Sequence, residues 1–336
     1  MRFSSTLFRP FDPGKAWGGR VLRHCRRRGS RARPSILCHR RPEVQQPEFK
    51  GSLLKPIGNV WEERFWSCQP IADYSIINRD RMSLDAADKH QLIPHIRRWK
   101  TVDLNDHVDS QFDKHPFSPR LQDLRFCLEA IEPHLDEFKP KQEDAPVAFV
   151  LQRFTSLGLC HDASNFEREN DVKDLFVSRE GNLIMLWKDQ KDIRKDSCGS
   201  ALERLLVQGG LGENFRVVRG NIGHHVLFCA GEVDAWEGEE PIEIKCKVKD
   251  ESIIHDYFQC VNIGIKTIWS QGRGMRYTKV DRMEVPLDVK HEFHLNLNQL
   301  LDQLVHFVHP GQEYKLTVGP EQADLYLIGQ ATLSFL

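Results

Sequence analysis

Two short stretches carry the residue types best suited to chemistry: Glu232-Val233-Asp234 and Glu243-Ile244-Lys245, separated by the polar segment Glu237–Pro241. On an extended strand, residues two apart share a face and lie about 7 Å from each other. Glu232 and Asp234 therefore point one way with Val233 toward the core, and Glu243 and Lys245 share a face with Ile242 and Ile244 opposite. Pairing the two strands through the turn brings three carboxylates and one ammonium into a single cluster. Carboxylates at that spacing repel unless a cation lies between them, and hard oxygen donors suit Mg²⁺ or Mn²⁺. Two such ions about 4 Å apart would activate a water and stabilise the leaving oxygen in phosphodiester cleavage. Lys245 beside them would neutralise the phosphate or orient the nucleophile. This is the spacing that a metal-dependent nuclease requires. The same alternation also describes the solvated face of an antiparallel hairpin, with Glu237, Glu239 and Glu240 as turn charge, and the pattern by itself does not separate the two readings.

The elements that must position these residues follow from periodicity. Leu121, Leu124, Leu128 and Ile131 recur at helical spacing after the Pro116–Pro119 loop, and Ala148–Leu151 reads as a buried strand. A hairpin spans 174–178 and 183–188. A short helix covers Ser200–Val207, stopped by Gly209-Gly210. Strands are expected over Val226–Trp236 and Ile242–Lys247, a helix over Ser252–Val261, a hairpin over 266–270 and 275–285, an amphipathic helix over Glu292–Val308, and two closing strands at 313–318 and 323–335. Strands and helices interleave without strict βαβ alternation, which predicts a mixed α+β fold: central β-sheets flanked by helices in a single nuclease domain over 48–336.

Residues 1–47 read as a flexible basic leader. Asp12 is the only acid up to Pro42, while Arg26-Arg27-Arg28, Arg31 and Arg33 cluster between glycines and prolines. Three uses compete: a mitochondrial transit peptide, suited by Met1–Phe11; a nuclear localisation stretch; and a nucleic-acid-attracting arm, both suited by the Arg26–Arg33 cluster. The nucleus is the leading destination, with cytoplasm and mitochondrion as alternatives. The nine cysteines are an odd count without a C-x-x-C pair, which argues against a disulfide framework. No apolar run approaches the roughly 20 residues needed to span a bilayer, so no membrane partner is expected. A net charge of −1 identifies no partner.

Other candidate ligands read as structural. His291, His294, His306 and His309 fall on or near the C-terminal helix, where exposed histidines are the better reading than a zinc site. His224-His225 precede a strand and are expected to bond locally, though one could face RNA. Gly272-Arg273-Gly274 fits a hairpin turn better than a phosphate loop.

From about Arg120 to Val285 the sequence resembles the DXO family of decapping exoribonucleases, whose motifs appear here in order. Phe149–Arg153 resembles the family's F-V-x-W-R-G stretch, Gly199–Glu203 its G-x-x-x-E motif, and Arg219–Asp234 the strand pair entering its E-x-D motif. Ile242–Lys245 resembles the E-x-K motif and Tyr257-Phe258-Gln259 the W-x-Q segment. By this resemblance Glu203, Glu232, Asp234, Glu243 and the main-chain carbonyl of Ile244 bind the metals, while Arg153, Glu232, Lys245 and Gln259 contact RNA phosphates or the cap. It implies removal of incompletely methylated guanosine caps, NAD caps or pyrophosphate from RNA 5′ ends, with 5′-to-3′ degradation in some members and a 5′-to-3′ exoribonuclease as a candidate partner. Gln152 and Phe154 replace the usual Trp and Gly beside the arginine, and Cys246 stands where Thr commonly follows the lysine. Those departures motivate a non-catalytic RNA-binding or exonuclease-stabilising alternative. A metal-dependent DNA nuclease is the third reading.

Overall fold

The run Val226-Leu227-Phe228-Cys229-Ala230 has no polar face, so a strand made of it must be covered on both sides. The computed structural model of the protein shows that cover. It describes residues 49–52, 68–78, 81–85, 88–94, 103–107, 113–114, 120–138, 146–152, 173–187, 194–195, 197–210, 212–246, 253–271, 275–318 and 322–331. All of them belong to one unit, Gln45–Leu336. The segment read as a leader, Arg153, and the 272–274 turn lie outside the described residues.

Among the described residues the strands are β1 (Phe49–Ser52), β2 (Gln69–Asn78), β3 (Arg81–Ser83), β4 (Gln91–Leu92), β5 (Asp113–Lys114), β6 (Ala148–Gln152), β7 (Lys173–Glu180), β8 (Leu183–Trp187) and β9 (Arg194–Lys195). They continue with β10 (Val207–Gln208), β11 (Glu213–Ile222), β12 (His225–Glu232), β13 (Ala235–Glu237), β14 (Glu240–Lys245), β15 (Thr267–Gln271), β16 (Met275–Lys279), β17 (Gln312–Val318) and β18 (Gln322–Gln330). The helices are α1 (Arg120–Ile131), α2 (Cys198–Leu206), α3 (Ile253–Val261) and α4 (Leu287–Phe307). A ten-stranded sheet runs β1-β18-β17-β7-β8-β6-β12-β11-β2-β3, and a six-stranded sheet runs β10-β4-β13-β14-β15-β16; β5 and β9 pair separately. Both large sheets are mixed, with β6 parallel to β8 and β12, and β14 parallel to β15. The fold class is therefore the expected mixed α+β.

Alternation along β6 and β12 explains the two-sided burial. Ala148, Val150, Val226, Phe228 and Ala230 pack with Leu124, Leu128 and Ile131 of α1 on one face. Phe149, Leu151, Leu227 and Cys229 pack with Leu297, Leu301 and Leu304 of α4 on the other. A third core holds α2 against the six-stranded sheet through Leu202, Leu206, Ala235, Ile242, Ile244 and Trp269.

Several expected boundaries change: the closing strand expected to 335 ends at Gln330, with 332–335 outside the described residues, and three other shifts have clear causes. The 226–236 strand is two strands: β12 ends at Glu232 in the large sheet, and β13 begins at Ala235 in the small one, so Val233 and Asp234 bridge the sheets. Apolar residues continue through the crossing, which hides it from a pattern reading. The expected strand at 275–285 stops at Lys279, because Val280–Arg282 forms a 3₁₀ turn whose buried Val280, with Met283 and Val285, imitates strand spacing. Helix α4 starts at Leu287, five residues earlier than expected, since Leu287 is 60% exposed and Val289 alone among the apolar residues of that turn packs on the core, too little to make a stripe. The N-terminal third, which lies outside the 120–285 stretch that carries the motifs, supplies β2, which pairs antiparallel with β11.

Candidate active site

The bridge between the sheets places the acidic residues. Ala235 pairs with Ile242 in the β13–β14 ladder, which ends at that pair. Beyond it the Ile244 N–H turns to a side chain and donates to Asp234 Oδ2 at 2.7 Å. Val233 is fixed from the other side by its N–H to the Asn214 carbonyl, 2.8 Å. Glu232 thus stands at the end of the large sheet and Asp234 in the bridge, rather than side by side on one regular strand.

Glu203 comes from α2. Ser197 caps that helix by accepting from the Ser200 N–H at 3.2 Å, and Ala201, Leu202 and Leu206 are buried. Glu203 follows directly on the face between Leu202 and Leu206 and is half-buried. Glu243, on β14 opposite the apolar pair Ile242 and Ile244, is 1% exposed.

Asp234 registers their convergence. Burial first, then Glu243, Glu203 and Glu232, push its carboxyl well above the ordinary aspartate range, while Lys245 acts in the opposite direction. Crowding by like charge plus desolvation is the arrangement that favours a neutral carboxyl in the absence of a cation.

Lys245, Glu243 and Gln259 form a closed triangle. Lys245 Nζ lies 2.7 Å from Glu243 Oε1 and donates to Gln259 Oε1 at 2.9 Å, and Gln259 Nε2 donates to Glu243 Oε1 at 2.7 Å. An amide can accept from an ammonium through its oxygen and donate to a carboxylate through its nitrogen at once. Burial pulls the Lys245 pKa down, but Glu243 and Asp234 outweigh it and hold the ammonium above its usual range. Helix α3 crosses from β14 to the parallel strand β15 and brings Gln259 over this pair. Phe258 anchors the helix by stacking on Phe293 of α4, centroids 3.9 Å apart.

One member of this network went unread in the sequence. Asp256, one turn before Gln259 on α3, is 5% exposed and lies 3.9 Å from Lys245 Nζ. Its signal was available: a carboxylate at i−3 from the glutamine within the apolar run Ile253–Val261. The structure therefore groups Glu203, Glu232, Asp234, Glu243, Lys245, Gln259 and Asp256, and buries Ile244 beside them.

The histidine readings need two corrections. His225 bonds across 77 residues to Asp302 of α4, not locally. His294 is half-buried rather than exposed, and burial, with His291 nearby, pushes its pKa down to about 4.

No family model and no curated protein sequence matches this chain. Solved structures do match. Rai1 of S. pombe in complex with 3′-FADP aligns with a TM-score of 0.61 at 16% identity, covering 83% of this chain and 99% of that one. Dxo1 of K. lactis in complex with manganese aligns at 0.57 and 15%, over 87% of this chain and 95% of its own. Rai1 of Candida albicans in complex with pU5 and Mn²⁺ aligns at 0.54 and 11%, over 79% and 90%. This is the Rai1/Dxo1 fold. The likeness that the ordered motifs suggested is borne out as a shared architecture. The match also extends beyond the motif region, since coverage of this kind takes in more of the chain than 120–285.

Proposed function

We propose that the protein is a divalent-metal-dependent hydrolase of RNA 5′ ends, removing incompletely methylated or NAD caps, or pyrophosphate. One observation carries the proposal: a buried carboxyl, Asp234, loaded by three further carboxylates from α2, β12 and β14. So much negative charge around one ammonium calls for cations, and an all-oxygen donor set fits Mg²⁺ or Mn²⁺. Glu203, Glu232, Asp234, Glu243 and the Ile244 carbonyl are the groups that would hold them, as a pair. When bound, such ions supply Lewis-acid stabilisation of phosphoryl charge and an activated water.

The chain's own part is positioning. Lys245, held by Glu243, Gln259 and Asp256, presents a fixed positive charge to a phosphate without a reorganisation cost. Gln259 fixes the ammonium and offers amide contacts to the substrate, and Arg153 is the proposed phosphate clamp. Manganese in the Dxo1 complex, and pU5 with Mn²⁺ in the Candida albicans complex, support metal and RNA as ligands of this architecture. The Arg26–Arg33 cluster supports the nucleus as the place of action, which imaging of the tagged full chain tests.

The deciding experiment incubates purified protein and Mg²⁺ or Mn²⁺ with 5′-labelled capped, NAD-capped, triphosphate and monophosphate RNAs, beside DNA. Metal-dependent release from at least one modified 5′ end, lost in Glu232→Ala, is expected. Preference for DNA selects the endonuclease reading, and RNA binding without turnover selects the non-catalytic one. Loss of the monophosphate substrate into nucleotides identifies accompanying 5′-to-3′ degradation.

A further inference from the structure

The strand that ends at Glu232 begins, about 23 Å away by strand rise, with a second group of metal-ligating residues. Gly223, at φ +57°, turns β11 into β12 so tightly against α4 that a Cβ there would collide with the Asn298 side chain. The turn delivers His224 and His225 to Asp302. His225 Nε2 lies 2.7 Å and His224 Nε2 3.7 Å from Asp302 Oδ1, and one donor atom from each of the three lies within 4.8 Å of the others. Asn298 Nδ2 donates to the other oxygen, Asp302 Oδ2, at 3.3 Å.

Two features of this cluster exceed what a simple hydrogen bond needs. His225 is 1% exposed although it faces the Asp302 carboxylate, and the buried Oδ1 of Asn298 beside them has no hydrogen-bond partner among the described residues. The donor spacings of 2.7 and 3.7 Å straddle the separation of about 3.3 Å expected for ligand atoms roughly 2.0 Å from a tetrahedral ion. His224, 76% exposed, is free to close that difference by rotation.

We propose that His224, His225 and Asp302 form a Zn²⁺-class site, separate from the carboxylate centre, that fastens the Gly223–His224 turn to α4. Two imidazoles and one carboxylate select a borderline-soft ion over Mg²⁺, and the fourth position is left to water beside Asn298 Oδ1. Binding replaces the hydrogen bond from His225 to Asp302 with two metal–ligand bonds, and the His225 proton moves from Nε2 to Nδ1, so the ring stays neutral throughout.

The test titrates metal-stripped full-length protein with Zn²⁺, with Mg²⁺ in large excess to occupy the carboxylates. Wild-type protein should show a Zn²⁺-dependent rise in Tm, and Co²⁺ should give a visible d–d band of nitrogen-ligated character. His224→Ala, at an exposed position that folding does not need, should weaken Zn²⁺ binding at least tenfold and remove both the Tm rise and the band. Glu243→Gln should retain them. Zn²⁺ affinity unchanged in both His224→Ala and Asp302→Asn, or no Tm response in the wild type, overturns the proposal.

Discussion

At Glu232 the strand β12 ends among Glu203, Asp234 and Glu243; at His225 it begins against Asp302 alone. The acidic end gathers more negative charge than Lys245 can offset, and burial together with that crowding raises the Asp234 pKa. The imidazole end sets two histidines against one carboxylate, so far less like charge is crowded together there. The contrast teaches that the two ends are stable for different reasons. Folding pairs the histidine end through the His225–Asp302 contact, where a metal would add stability, whereas it leaves the acidic end crowded with like charge, which suits a site whose ions take part in chemistry.

The largest expected effect breaks the acidic end. Glu232→Ala should reduce turnover on the best 5′-modified RNA by about 10³-fold or more, a loss of the size seen when charge stabilisation is removed from an enclosed site. Asp302→Ala, at the other end, should leave turnover within about twofold while altering stability, because surface-proximal changes far from the reacting groups add independently. Equal losses in both variants, measured as kcat/KM with melting curves alongside, would remove the distinction between the ends.

Next in size is the ammonium. Lys245→Met leaves the buried Glu243 and Asp256 without their cation. Breaking a buried pair from one side costs roughly 3–5 kcal/mol, reduced here because Lys245 retains 23% of its side-chain exposure. Urea unfolding of the metal-free variant should report a loss of about 2–3 kcal/mol by that discount, and the shortfall should shrink when Mn²⁺ is added. No loss at all would mean that Lys245 neutralises nothing in the folded state.

Much of this contrast was legible in the residues, and the reasons for the rest are physical. Glu232, Asp234, Glu243 and Lys245 stood out because charged residues two apart on apolar strands are expensive unless they converge. The sheet crossing at Val233-Asp234 was not legible, since an apolar residue serves equally well in either sheet and the Asp234 side chain, not a ladder bond, receives the Ile244 N–H. Asp256 could be read only through Gln259, three residues on along the same helix face, since by itself one carboxylate among apolar residues reads as a solvent-facing position. The His225–Asp302 contact spans 77 residues, and no spacing rule reaches that far.

A third, smaller effect comes from α4, which carries both Asp302 and His294. His294 has a folded pKa of about 4 against 6.5 ordinarily, lowered by burial and then by His291. The unfolded chain therefore binds the extra proton first, and stability falls as pH drops from 6.5 toward 4. The contribution is at most about 3 kcal/mol. His294→Gln should flatten unfolding free energy across that window; an unchanged slope would assign the acid sensitivity elsewhere.

The acidic end should show the opposite sign. Asp234 has its folded pKa raised by burial, Glu243, Glu203 and Glu232, so the folded protein binds the proton more tightly than the unfolded chain. Its contribution is fully present below the ordinary value of 3.8 and is lost as pH rises through the elevated folded value. Asp234→Asn keeps an oxygen for the Ile244 N–H and removes the charge. In metal-free protein at pH 8 it should therefore stabilise the fold, by on the order of 1–2 kcal/mol, while abolishing metal-dependent turnover. A variant that is both more stable and inactive locates the strain of the fold in the same carboxylates that the chemistry needs. A destabilised Asp234→Asn protein would mean that the cluster is already balanced without cations, and the difference between the two ends of β12 would vanish.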